Sequence, residues 1–174
     1  MTGYIVISMG ELHSRSRQPR LMQISLREPC VKVVLCHGVF DLLHIGHLVH
    51  LEEARMFGDI LKVSVVADKF VLKPRPLIYK EGARLRLLSA LRCVDEVLLC
   101  NAPGPEKIIA EIHPDVYVRG PDYIGRCMPE SEILEELGIP IRFTASSYKR
   151  TTEIAEEILR LFCDKSGNKS GKIA

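Results

Sequence analysis

The chain predicts an α/β fold, a parallel sheet covered by helices on both faces. Three observations carry this expectation. Apolar, β-branched runs alternate with helical patterns along the chain. The strand and helix patterns repeat in strict succession, which requires crossover connections and hence parallel strands. The length, 174 residues, suits one domain with a single core.

The elements follow in order. Val31 to Cys36 reads as a buried strand. Leu48, Leu51 and Ala54 recur at a spacing of three among charged residues, an amphipathic helix stopped by Gly58. Ile60 to Ala67 is the second strand. Arg84 to Leu91 is helical, with Leu85, Leu88 and Leu91 on one face, and Asp95 to Cys100 is the third strand. Pro105 opens the next helix, where a missing amide costs nothing, and Ile108, Ile109 and Ile112 form its buried face. Val116 to Arg119 is the fourth strand. Glu130 to Leu137 is a short helix ended by Gly138, and Ile139 to Phe143 is the fifth strand. Ile154, Ile158, Leu161 and Phe162 mark a last helix. Residues 1–29 read as a peripheral arm, 30–163 as the folded domain and 164–174 as a disordered polar tail.

Composition narrows the function. The net charge of +2 argues against a nucleic-acid protein bound through a broad basic face. No apolar run approaches the roughly 20 residues of a membrane helix, and residues 1–10 lack the features of a secretory signal. The six cysteines form no C-x-x-C pair, so reduced, buried thiols in a cytoplasmic protein are expected, with no zinc site.

The chemistry is concentrated in Gly38-Val39-Phe40-Asp41-Leu42-Leu43-His44-Ile45-Gly46-His47, between the first strand and the first helix. Loops at the carboxyl ends of parallel strands form the ligand crevice. A helix N-terminus there favours an anion through its amides and dipole. His44 and His47 are three apart, so both can sit on one side of the first turn and donate to phosphate oxygens. Gly46 is expected to let phosphate approach the backbone, and Gly38 to serve the nucleotide in the same way, with Val39 and Phe40 beside it. Asp41 either orients the substrate or holds the turn by accepting backbone amides. His50 reads as solvent-facing, and His13 and His113 as ordinary surface residues.

This stretch resembles the signature of the HxGH nucleotidyltransferase superfamily, and the likeness extends from about Val31 to Leu161. Ala90-Leu-Arg-Cys-Val-Asp-Glu-Val97 is similar to its third-strand entry. Pro114-Asp-Val-Tyr-Val-Arg-Gly-Pro-Asp-Tyr123 resembles a segment that usually reads P-D-V-x-V-K-G-G-D-Y, and Pro129-Glu-Ser-Glu resembles the next helix. Within the superfamily the chain looks most like the adenylyltransferase domain that makes ADP-heptose. Glycerol-phosphate and ethanolamine-phosphate cytidylyltransferases are the second likeness. Arg119 stands where the family has Lys. Of the cytidylyltransferase pattern R-T-x-G-I-S-T-T, only Thr151-Thr152-Glu-Ile154 is matched.

The resemblance implies a Rossmann-like, doubly wound sheet of five strands ordered 3-2-1-4-5, with His44 and His47 opposite Arg119 and Gly120. It implies transfer of AMP from ATP to a heptose-phosphate-like sugar phosphate, with release of pyrophosphate. Alternatives are a cytidylyltransferase acting on CTP and a polyol or amino-alcohol phosphate, and a non-catalytic nucleotide sensor. His44, His47 and Lys73 would be catalytic. Arg119, Gly120, Thr151 and Thr152 would hold the nucleotide, and Arg75 the substrate. Mg²⁺ would arrive with the NTP rather than sit in a protein cage. The partners implied are the NTP and a small phosphorylated substrate, with a homodimer as a candidate assembly. The letters His-Ile-Gly-His also occur in class I aminoacyl-tRNA synthetases, but the length and the missing Lys-Met-Ser-Lys-Ser loop argue against one.

Overall fold

A computed structural model describes residues 31–72, 76–145, 148 and 151–166, without the side chains of 151–152 and 163–166. The expected N-terminal arm lies outside the described residues. The elements are β1 (Val33–Gly38), α1 (Ile45–Arg55), β2 (Ile60–Val66), α2 (Glu81–Ser89), β3 (Glu96–Cys100), α3 (Glu106–Ile112), β4 (Val116–Arg119), α4 (Ser131–Glu136), β5 (Ile141–Phe143) and α5 (Thr151–Ser166). Short 3₁₀ turns occupy Asp68–Phe70 and Pro121–Tyr123.

The five strands form one sheet ordered β3-β2-β1-β4-β5, with every neighbouring pair parallel. Successive side chains of a strand point to opposite faces, and both faces are buried. On one side Val34, Cys36, Val63, Val65, Val116 and Val118 pack with Leu51 and Ala54 of α1 and Leu88 of α2. On the other, Leu35 and Tyr117 pack with Ile108 and Ile109 of α3 and Leu134 of α4. This is the doubly wound arrangement expected.

Local chemistry explains where elements start and stop. α1 ends at Arg55, with Met56 as its C-cap. Gly58 follows where the chain passes close to β1, since a Cβ there would lie 2.7 Å from the Lys32 carbonyl oxygen and 2.7 Å from Val34 Cγ2. His113 closes α3 in the left-handed region at φ 48°, and Gly138 follows α4 at φ 65°.

Several boundaries shift from the sequence expectation. β1 starts at Val33 and runs on through His37 and Gly38, which pair with Ser64 and Val65 of β2. Gly38 therefore belongs to the sheet. β5 begins at Ile141 rather than Ile139, since the Ile139 amide returns to the Leu134 carbonyl at the end of α4. α5 continues to Ser166, so the expected tail boundary at 164 falls inside a helix. The apolar face expected of α5 is exposed: Ile158, Leu161 and Phe162 are 45%, 60% and 70% accessible. Among the described cysteines, Cys36 and Cys100 are buried, whereas Cys127 is exposed, and none is bonded.

Candidate active site

The turn after β1 is held in a costly shape. Phe40 and Leu42 adopt φ of 53° and 56°, where a residue with a Cβ costs on the order of 1–3 kcal/mol. Three anchors hold it. The Phe40 ring is buried, 5.4 Å from the His47 ring in an edge-on contact. Asp41 is 1% exposed and accepts the Ile78 and Tyr79 amides at 3.1 and 3.0 Å. Arg84, fully buried, donates to the Val39 carbonyl at 2.6 Å.

These contacts bear on several expectations. Of the two roles the sequence offers Asp41, the contacts show the second: its carboxylate holds the turn. The Phe40 side chain belongs to the core, and the Val39 carbonyl is committed to Arg84. A Cβ on Gly38 would meet the Phe40 ring at 3.1 Å, so this glycine makes room for the turn's own aromatic. A Cβ on Gly46 would lie 2.9 Å from His44 Cε1 and 2.9 Å from Tyr148 Cβ. Gly46 is therefore required by its protein neighbours.

His44 is the N-cap of α1, and its Nδ1 accepts the Gly46 amide at 3.1 Å. Its carbonyl accepts the His47 and Leu48 amides. Spacing of three on the first turn brings the His44 and His47 rings together, with centroids 3.9 Å apart and planes tilted by 36°. Burial lowers the His44 pKa from its ordinary value. The His44 and His47 rings stand beside the helix N-terminus, a setting suited to donating to an anion.

Across the β1–β4 gap stands Arg119, 8% exposed. Its Nε donates to Glu130 Oε1 at 2.7 Å, its Nη2 donates to the same oxygen, and its Nη1 reaches the His37 carbonyl at 3.1 Å. The Tyr123 and Tyr117 rings lie 4.5 and 5.4 Å from its guanidinium carbon. Burial works against the charge, but Tyr117 and Glu130 offset it, and the Arg119 pKa stands above its ordinary value. Arg119 is therefore no surface ion pair. Gly120 follows directly, and a Cβ there would lie 2.7 Å from Asp122 Oδ1.

A third wall comes from the exit of β5. His50 Nδ1 and Thr144 Oγ1 are 2.9 Å apart, and the Glu53 carboxylate accepts the Ala145 amide at 2.7 Å. α1 is thereby fastened beside the segment leading to Tyr148 and α5. His50 does not face solvent as expected, and burial lowers its pKa. His37, 3.0 Å from Ser64 Oγ, is held at a pKa of about 4 by burial and by Arg119. His113 is exposed, as the sequence suggests, while His13 lies outside the described residues.

Lys73 and Arg75 also lie outside the described residues. Thr151 and Thr152 open α5, but their side chains are not described. The structure thus assembles His44, His47 and Arg119 with their glycines at the carboxyl ends of β1 and β4. Sequence reasoning missed the buried charges Arg84 and Glu130. Arg84 had one signal: it lies four residues before Leu88, on the same helical face. Among the described residues, no three His, Cys, Asp or Glu side chains gather to hold a metal, and no helix is long and apolar enough to cross a membrane.

Residues 35–155 match the family model described as cytidylyltransferase-like. The chain is 38% identical over 169 residues to the bifunctional protein HldE of Geotalea uraniireducens, covering 90% of this chain and 34% of that protein. It is 45% identical over 125 residues to the bifunctional protein HldE of Hydrogenovibrio crunogenus, covering 70% of this chain and 24% of that protein. The chain therefore spans about a third or less of these relatives. A lipopolysaccharide core biosynthesis protein from Thermoplasma volcanium has a similar structure, with a TM-score of 0.57 and 31% identity over 68% of this chain and 99% of that one.

Proposed function

The chain belongs to the cytidylyltransferase-like family, and from that premise we propose that it transfers AMP from ATP to a heptose-phosphate-like sugar phosphate. The observation that carries the reading is the His44–His47 ring pair, 3.9 Å between centroids, on the first turn of α1. The HldE relatives and the sugar-polymer setting of the structural relative support a sugar-phosphate acceptor.

A phosphate oxygen of the acceptor attacks the ATP α-phosphorus in line. The new P–O bond forms as the α–β bridging bond breaks, and pyrophosphate leaves with that electron pair. A phosphate monoester is already largely ionised at pH 7, with its second pKa about 6, so no general base is needed. Catalysis is positioning and charge stabilisation. His44 and His47 donate to phosphate oxygens, helped by the amides and dipole of α1. Arg119 supplies positive charge from the β4 side, with Gly120 beside it. Lys73, Arg75, Thr151 and Thr152 complete the anion site in this reading. The described donors are nitrogens rather than an oxygen cage, so Mg²⁺ enters on the nucleotide phosphates. The cytoplasm is the compartment this reading assigns.

Equal ATP and CTP, offered with heptose phosphate and glycerol phosphate, test it. An AMP-bearing sugar product with released pyrophosphate is expected. A CMP product alone overturns the nucleotide choice, and no pyrophosphate from any mixture overturns the activity. Mg-ATP at 100 times its dissociation constant should also stabilise the fold by about 2.7 kcal/mol.

A further inference from the structure

Glu130 is fully buried just before α4, and its charge has an unusual arrangement. One oxygen, Oε1, accepts from the Tyr117 hydroxyl at 3.1 Å and from both Nε and Nη2 of Arg119. The other, Oε2, has no hydrogen-bond partner among the described residues. A buried ion pair is an inefficient way to stabilise a fold, since well-packed apolar residues often do as well. Its location suggests a different use. It stands at the crevice end of β4, and Nη1 of the same arginine reaches the His37 carbonyl, one residue before Gly38. Three of the five guanidinium N–H groups are thereby directed to protein acceptors. One N–H on each of Nη1 and Nη2 is left without a protein partner among the described bonds. Tyr123 and Tyr117 lie against the guanidinium.

We propose that Glu130 is a positioning residue for the nucleotide: its buried carboxylate holds Arg119 across the β1–β4 gap and turns the remaining guanidinium N–H groups toward the phosphates. The inference rests on the nucleotidyl-transfer reading for what Arg119 touches. It goes beyond that reading by making an inward-facing acid a determinant of nucleotide affinity. Glu130 does not touch the ligand; it acts through Arg119.

A double-mutant cycle tests it, read as Mg-ATP affinity by calorimetry, with thermal unfolding of each protein. The proteins are wild type, Glu130→Gln, Arg119→Ala and the double variant. Glu130→Gln keeps the shape but removes the charge, and should weaken Mg-ATP binding about tenfold, within the range for coupled buried groups. In the Arg119→Ala background, the same change should cost less than about twofold. Equal losses in both backgrounds would overturn the proposal, as would a lowered Tm with unchanged affinity. Glu130→Asp is the second variant should Glu130→Gln prevent folding. It keeps the charge but draws the guanidinium back, and unchanged ATP affinity there overturns the proposal too. Pyrophosphate release with sugar phosphates runs alongside. A wild type that binds ATP but turns nothing over defeats the functional reading and leaves the cycle informative. A wild type that binds neither ATP nor CTP defeats both.

Discussion

Replacing Arg84 with methionine should destabilise the fold more than any surface change. The side chain is fully buried and makes four hydrogen bonds. It donates to the carbonyls of Val39, Val66 and Tyr79 at 2.6, 2.8 and 3.2 Å, and to Asp68 Oδ1 at 2.7 Å. Methionine fills much of the volume but donates nothing. The Val66 carbonyl is wholly buried, and an orphaned acceptor there costs about 1–3 kcal/mol. The bonds to Val39, Tyr79 and Asp68 are only part-buried, so each loses less. The sum, about 3–5 kcal/mol, matches the cost of removing one partner from a buried charge pair. For a chain of this size each kcal/mol shifts Tm by about 2–4 °C, so a fall of about 10 °C is expected. Far-UV circular dichroism on heating, with urea unfolding at 25 °C, measures it. Asp68→Asn should lose much less, and the two changes together less than their sum, since they share a bond. An Arg84→Met protein melting within about 2 °C of wild type would refute the reasoning, because four lost bonds at a buried site cannot be silent.

Two further outcomes follow from the site. His44→Ala and His47→Ala should each lower turnover about 10²-fold or more while weakening ATP binding less; steady-state pyrophosphate release decides, and near wild-type turnover in either variant removes that histidine from the mechanism. Stability should fall as pH drops from 6.5 towards 4, because the folded pKa of His37 lies at about 4, below its ordinary 6.5, and the unfolded chain takes the proton first. That gap corresponds to about 3 kcal/mol, fully present above pH 6.5 and lost by pH 4. Urea midpoints across this range should slope less for His37→Asn; equal slopes would show that His37 is not the source.

Legibility followed burial. The strands were readable because a sheet covered on both faces needs continuous apolar runs, and Val34, Cys36, Val63, Val65, Val116 and Val118 supply them. Strand order was not in that periodicity; it came with the family likeness. His44 and His47 were readable because spacing alone puts them on one side of a first turn. Arg84 and Glu130 were not, since a charged letter in a helical stretch normally marks a solvated face, and only the fold shows what it meets inside. Gly38 and Gly46 were singled out for space a ligand would use, yet Phe40, His44 and Tyr148 occupy their surroundings. α5 inverts the rule: its apolar pattern is plain, but Leu161 and Phe162 stay exposed.

The cap on α1 decides which tautomer of His44 the protein contains. An amide N–H is only a donor, so the Nδ1 that accepts it from Gly46 must carry a lone pair. The proton of the neutral ring is therefore on Nε2. Protonation to imidazolium would place a second hydrogen against the Gly46 amide, break the cap and set a cation at the positive end of α1. His44 can thus act on a phosphate as a fixed dipole, oriented before the ligand arrives and unchanged as charge develops. Nitrogen-15 chemical shifts of the ring would report the Nε2–H form at neutral pH, and its loss in acid should coincide with fraying of the first turn.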